Sequence, residues 1–123
     1  MKLKAIEHIA VFTVNINESV RFYTEVLGLK EIKRVPNGDS VLVYMKVNDT
    51  SAIELFDHEK EITYSEHSPS SSGVAHICLS VTGIEEWNEH LKKHNVEFTL
   101  PLCALEHLGK KVLLFKDPNG VVI

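Results

Sequence analysis

The apolar positions of this chain change their period several times, and each change marks an element. A β-rich run over about 3–14 carries Ile6, Ile9 and Val11 and predicts a strand. Asn17 is a residue type that caps helices, and Val20, Phe22, Tyr23, Val26 and Leu27 follow it as a stripe at helical spacing that Gly28 ends. Three short strands are expected next, at about 29–34, 40–47 and 51–56, separated by Pro36-Asn37-Gly38-Asp39 and Asn48-Asp49.

After residues 64–72, which show no periodicity and read as a linker, the same plan starts again. A strand is expected over about 73–81, then a helix over about 84–94 with Ile84, Trp87 and Leu91 on one side. Strands near 96–99 and 110–116 follow, then the turn signal Asp117-Pro118-Asn119-Gly120, with Val121 opening a last strand. Both halves read βαβββ. A repeated unit of this kind packs on its copy. The expectation is an α+β fold: one domain over 1–123, built of modules at about 1–63 and 73–123, with a curved mixed sheet around a cleft.

Composition narrows the function. At 123 residues with 44% apolar and 24% charged content, the chain has the makeup of an ordinary globular domain. A net charge of -4 offers no basic footprint for nucleic acid, and Arg21 and Arg34 are the only arginines. No long apolar run and no leader pattern is seen, so no membrane partner is expected and the expected location is the cytoplasm. Cys78 and Cys103 read as separate small hydrophobes rather than a disulfide.

The candidate chemistry is metal binding. Each half opens with one imidazole in mid-strand, His8 in Ile6-Glu7-His8-Ile9-Ala10-Val11 and His76 in Val74-Ala75-His76-Ile77-Cys78-Leu79. Alternation puts His8, Ala10 and Phe12 on one face, and His76, Cys78 and Ser80 on the matching face of the second copy. The helices need the other faces, so both imidazoles point to the cleft. Glu54, within Ala52-Ile53-Glu54-Leu55-Phe56, is a carboxylate among apolar neighbours, a costly placement unless it is paired or metal-bound. His8, Glu54 and His76 together make a mixed nitrogen and oxygen set for one divalent ion: Zn, Ni, Co, Mn or Fe.

Taken with Ser19-Val20-Arg21-Phe22-Tyr23-Thr24-Glu25-Val26-Leu27-Gly28-Leu29 and Lys116-Asp117-Pro118-Asn119-Gly120, these motifs make the chain resemble the vicinal oxygen chelate superfamily. That superfamily includes glyoxalases, extradiol dioxygenases, methylmalonyl-CoA epimerases and bleomycin-resistance proteins. The resemblance implies a small-molecule substrate chelated through adjacent oxygens, with Glu54 as general base in a lyase or isomerase of the glyoxalase type. An extradiol-type dioxygenase and a non-catalytic drug-binding protein are the alternatives. It also implies modules paired within one chain or across two, and a homodimer is the expected assembly.

A fourth ligand, usually a Glu, is implied after the Asp-Pro-x-Gly turn. Glu54 stands 46 positions after His8, and the same step from His76 reaches 122. The chain therefore reads as a natural one cut short just before that ligand, or as one that has lost it. The face His8, Ala10, Phe12 carries no cation for a glutathione carboxylate, and Phe12, Phe56 and Leu114 suggest an apolar wall. His90 and His94, spaced four apart on the second helix near Glu86 and Glu89, read as a solvated face. His58 and His67 fall in or near loops. His107 is a candidate for the cleft mouth, and Trp87 for packing on the sheet.

Overall fold

The computed structural model describes residues 1–57 and 73–123. The chain divides into two compact units, Met1–Tyr64 and Ser65–Ile123. The expected linker at 64–72, with His58 and His67, lies outside the described residues.

In the first unit β1 (His8–Thr13) leads into α1 (Ile16–Arg21), which continues as a π-helical turn at Phe22–Val26. β2 (Lys30–Asn37), β3 (Ser40–Lys46) and β4 (Ala52–Asp57) complete a four-stranded sheet in the order β1-β4-β3-β2. β1 runs parallel to β4, and the remaining pairs are antiparallel. The first strand starts at His8, later than position 3, because β4 starts at Ala52. The Ala52 N–H donates to the Glu7 carbonyl at 3.0 Å, and among the described residues no strand pairs with those before Glu7.

The helix cap is Asn15, not Asn17. Asn15 is extended, and its Oδ1 accepts from the Glu18 N–H at 3.0 Å, which satisfies an amide that the first turn leaves open. The strand has already ended at Thr13, whose hydroxyl donates to the Phe56 carbonyl at 2.7 Å, so the chain turns earlier than its composition suggested. In the π-turn the Leu27 N–H reaches back five residues to the Phe22 carbonyl at 3.3 Å. This brings Tyr23, Val26 and Leu27 all to the buried side. Gly28, at φ +70°, then ends the helical stretch in a conformation that L side chains avoid.

Register decides what each sheet face carries. Val11 and Val43 both stand opposite Leu55, and Met45 opposite Ile53. These five are buried on the side that the helix covers. Each contributes about 1.5–3 kcal/mol by leaving water. The other face carries His8, Ala10 and Phe12 from β1, with Ala52, Glu54 and Phe56 opposite them on β4.

The second unit contains α2 (Ile84–Lys93), β5 (Glu97–Leu105), a 3-10 turn at Glu106–Leu108, and β6 (Lys110–Lys116). β5 is much longer than the 96–99 expected, because β6 pairs along its length from Leu105↔Lys110 to Glu97↔Lys116. The pairing shifts between Leu100 and Cys103, where Pro101 has no N–H to give the ladder. The strand expected at 73–81 forms no ladder among the described residues. Its main-chain anchor is the Ile77 N–H, which donates to the Val122 carbonyl at 2.9 Å. Burial still alternates there, with Ile77 buried while His76 and Cys78 are exposed.

Val122 bridges Lys116, and Phe115 and Ile123 exchange both main-chain hydrogen bonds, at 2.9 and 2.8 Å. The segment at Ile77, the final residues, β6 and β5 therefore repeat the order β1-β4-β3-β2. The first two members of this order make single bridges and main-chain hydrogen bonds in place of a ladder among the described residues.

The turn before this bridge is built by Asp117. Its Oδ1 accepts from the Asn119 and Val121 N–H groups, each at 2.8 Å. Lys116 faces Val122 as Lys46 faces Ala52, and Asp117 N–H donates to Val121 as Val47 N–H donates to Ser51. Val122 is thus the counterpart of Ala52, and Ile123 that of Ile53. The equal-step count that placed the counterpart of Glu54 at 122 is corrected by this register.

Candidate functional site

The sheet face that α1 does not cover brings His8 and Glu54 together. Their β1 and β4 positions lie one pleat apart on the same face, and His8 Nε2 stands 3.8 Å from Glu54 Oε2. Glu54 is 4% exposed, whereas the His8 side chain is 37% exposed. The imidazole therefore opens the pair to solvent while the carboxylate forms its floor.

Two neighbours orient this pair. Glu7 Oε2 lies 2.5 Å from His8 Nδ1, so Nδ1 is turned to this carboxylate and Nε2 toward Glu54. Tyr44 stands opposite Glu54 on β3. Its phenol is pushed up to about 12, first by hydrogen bonding to the Glu54 carboxylate, then by burial and by the charges of Glu54 and Glu7. The His8 ring meets the Tyr44 ring edge-on, with centroids 6.0 Å apart. Among the described residues no buried side-chain nitrogen or oxygen lacks a hydrogen-bond partner.

Phe12 and Phe56 stand opposite each other on this face, their rings 5.4 Å apart, and make its apolar end. Leu114, the third residue expected in that wall, lies in the second unit on β6, opposite Leu100. Three features of the face escaped the sequence reading: Tyr44, Lys33 and the role of Glu7. Lys33 stands opposite Tyr44 on β2, with Nζ 5.4 Å from the centroid of the Tyr44 ring. An aromatic residue on the strand adjacent to Glu54 was the available signal.

His76 lies in the second unit with its side chain exposed, beside the anchored Ile77. Within either unit, no set of three described His, Cys, Asp or Glu side chains is placed to hold an ion by itself. Cys78 and Cys103 are free thiols. Cys78 is exposed rather than buried, since it shares the open face with His76.

On α2, Trp87 is half-buried with its ring edge toward His90, and the His90 and His94 rings lie 4.6 Å apart. His107 is exposed in the 3-10 turn. No described helix is long and apolar enough to cross a membrane.

A donor set can be tested for its fit to a cation. Here an imidazole nitrogen and a carboxylate oxygen face each other at 3.8 Å, too far for a hydrogen bond. One ion with bonds of about 2.0–2.2 Å to each would reach both. The second ring nitrogen is already held by a carboxylate, the arrangement that fixes the tautomer of metal-binding histidines. His8 and Glu54 fit a divalent metal.

Comparison with known proteins agrees with the fold. Residues 5–123 match the profile of the glyoxalase/bleomycin resistance protein/dioxygenase superfamily, and the chain belongs to that family. It adopts the α+β glyoxalase-type fold. It is similar to the crystal structure of the glyoxalase family protein from Enterococcus faecalis, with a TM-score of 0.82 and 26% identity over 99% of this chain and 96% of that one. Uncharacterized protein YwbC of Bacillus subtilis (strain 168) is 32% identical over 119 residues, 95% of this chain and 92% of its own length. The mitochondrial methylmalonyl-CoA epimerase of Dictyostelium discoideum is 27% identical over 124 residues, 96% of this chain and 75% of its own length.

Proposed function

We propose that this protein is a metal-dependent lyase or isomerase that chelates a small oxygen-bearing substrate and moves a proton within it. The observation that carries this reading is the His8–Glu54 pair, 3.8 Å apart on the face free of α1, with the imidazole Nδ1 held by Glu7. His8, Glu54 and His76 would hold one divalent ion: Zn, Ni, Co, Mn or Fe. When bound, the ion supplies Lewis acidity that makes a proton beside a coordinated oxygen easier to remove.

The chain's own residues do the rest. Glu54 takes the proton from substrate carbon and returns it. Its buried carboxylate is held in one orientation by Tyr44, so little reorganisation is needed at the moment of transfer. Phe12 and Phe56 keep water from that end of the face. The epimerase among the relatives bears the name of a reaction of this class. The assembly in this reading is a cytoplasmic homodimer.

The histidines His8 and His76 also suit a second reading, an extradiol-type dioxygenase working on iron. Elemental analysis of protein purified without added metal tests both readings. About one divalent ion per chain is expected, and none in the His8→Ala, His76→Ala double variant. Hydrogen–deuterium exchange into the substrate, assayed with methylglyoxal–thiol adducts and acyl thioesters, should fall by about 10²–10⁴ in Glu54→Gln. Cleavage of a catechol by the iron-loaded protein would select the dioxygenase. A metal-free protein that takes up aromatic drugs tightly would overturn both readings.

A further inference from the structure

Lys33 lies on the same sheet face as His8 and Glu54, and the proton transfer just described does not use it. It stands opposite Tyr44, Tyr44 opposite Glu54, and Glu54 opposite Ala10. The four strands thus contribute one residue each to a single row across the sheet. Neighbouring strands are about 4.8 Å apart, so the Lys33 backbone sits about 10 Å from that of Glu54.

The lysine side chain leans along this row. Its Nζ is held 5.4 Å from the centroid of the Tyr44 ring, where the quadrupole of the aromatic face attracts a cation. Five other basic side chains have acidic partners, Lys46 with Asp49, Arg34 with Glu31, Lys92 with Glu89, Lys111 with Glu85 and Lys116 with Glu97, and none of these five lies against an aromatic ring on the face of Glu54. Among the described residues, no ion pair of this kind involves Lys33. Its charge is positioned by an aromatic ring, beside a pair of chelating groups, and faces outward from the protein.

We propose that Lys33 recognises an anionic group at the far end of the substrate from its chelating oxygens, so that the substrate is a small acid bearing a distal carboxylate or phosphate. This inference rests on the function proposed above and adds a substrate class to it. The row places the two ends of such a substrate two strands apart, a span suited to a small acid. The sequence reading found no cation on β1 for a glutathione carboxylate and expected an apolar wall. The cation enters from β2 instead.

Calorimetric titration of the metal-loaded protein with a matched set of 2-oxo acids tests this. 2-Oxoglutarate and 2-oxopentanoate share the chelating head and differ in a distal carboxylate against a methyl group. 2-Oxo-4-phosphonobutanoate carries a phosphonate in the same place. At least one of the two dianions should bind wild type about tenfold more tightly than 2-oxopentanoate. Which dianion binds better decides between carboxylate and phosphate as the source of the charge. The advantage should vanish in Lys33→Met, return in Lys33→Arg, and leave 2-oxopentanoate binding unchanged throughout.

Equal affinities in wild type, or a preference that survives Lys33→Met, would overturn the role of Lys33 and show that its stem merely covers Tyr44. Loss of 2-oxopentanoate binding in His8→Ala would uphold the chelating pair even then. Failure of wild type to bind any of the three acids would overturn the pair and the Lys33 assignment together.

Discussion

Glu54 carries a carboxylate into a position 4% exposed, where an unaccompanied charge is expensive, and its neighbours offset that cost. The Tyr44 hydroxyl faces it from β3 and His8 Nε2 from β1. The effect on Tyr44 is measurable. Its phenol titrates at about 12, above the ordinary 10, because the neighbouring carboxylate favours the neutral form. In Glu54→Gln that titration should fall back toward 10, read from tyrosinate absorbance and assigned by its loss in Tyr44→Phe. The sign for stability follows. A phenol raised in the folded state stabilises fully below its unfolded value, and that contribution disappears as pH rises from about 10 through about 12.

Glu54 and His8 were legible as residues because a charge amid apolar neighbours and a paired histidine are unusual in sequence. Lys33 was not, for a definite reason. The register slips between Glu31 and Lys33, so Glu31 faces Met45 on the helix side while Lys33 faces Tyr44 on the open side. Strict alternation would have put both lysine and glutamate on one face. A bulge of this kind is invisible to a period-two reading.

At the scale of the element, caps and turns were read with uneven success. The second helix, β3 and β4 fall within a residue or so of their expected bounds, since turn residues bracket them on both sides. The first helix begins earlier than expected because Asn15 and Asn17 are equally good caps in composition, and only the end of β1 at Thr13 chooses between them. Asn15→Ala should therefore cost about 1 kcal/mol in urea denaturation. Asn17→Ala, inside the first turn and exposed, should be neutral or slightly stabilising. Equal losses in the two variants would mean that Asn15 does not cap. The segment at 73–81 shows the opposite limit. Its β-rich composition was plain, but a ladder also needs a neighbouring strand, and the one beside it contributes only the final few residues.

The duplication was the strongest signal in the whole molecule, and the hydrogen-bond registers bear it out within each unit. The two copies nevertheless differ in chemistry along equivalent rows. Where the first has Lys33 opposite Tyr44, the second has Leu100 opposite Leu114. A repeat can keep its backbone pairing while its side chains diverge, because pairing uses only main-chain groups. Tolerance to substitution should consequently be lopsided. In a saturation library sorted separately for soluble yield and for turnover, changes at 44 and 54 should yield folded but inactive protein, and changes at 33 folded protein with weakened turnover of acidic substrates. Polar replacements at 100 and 114 should deplete soluble yield first. A duplicated architecture would then leave two different mutational fingerprints, one of lost reactivity and one of lost solubility.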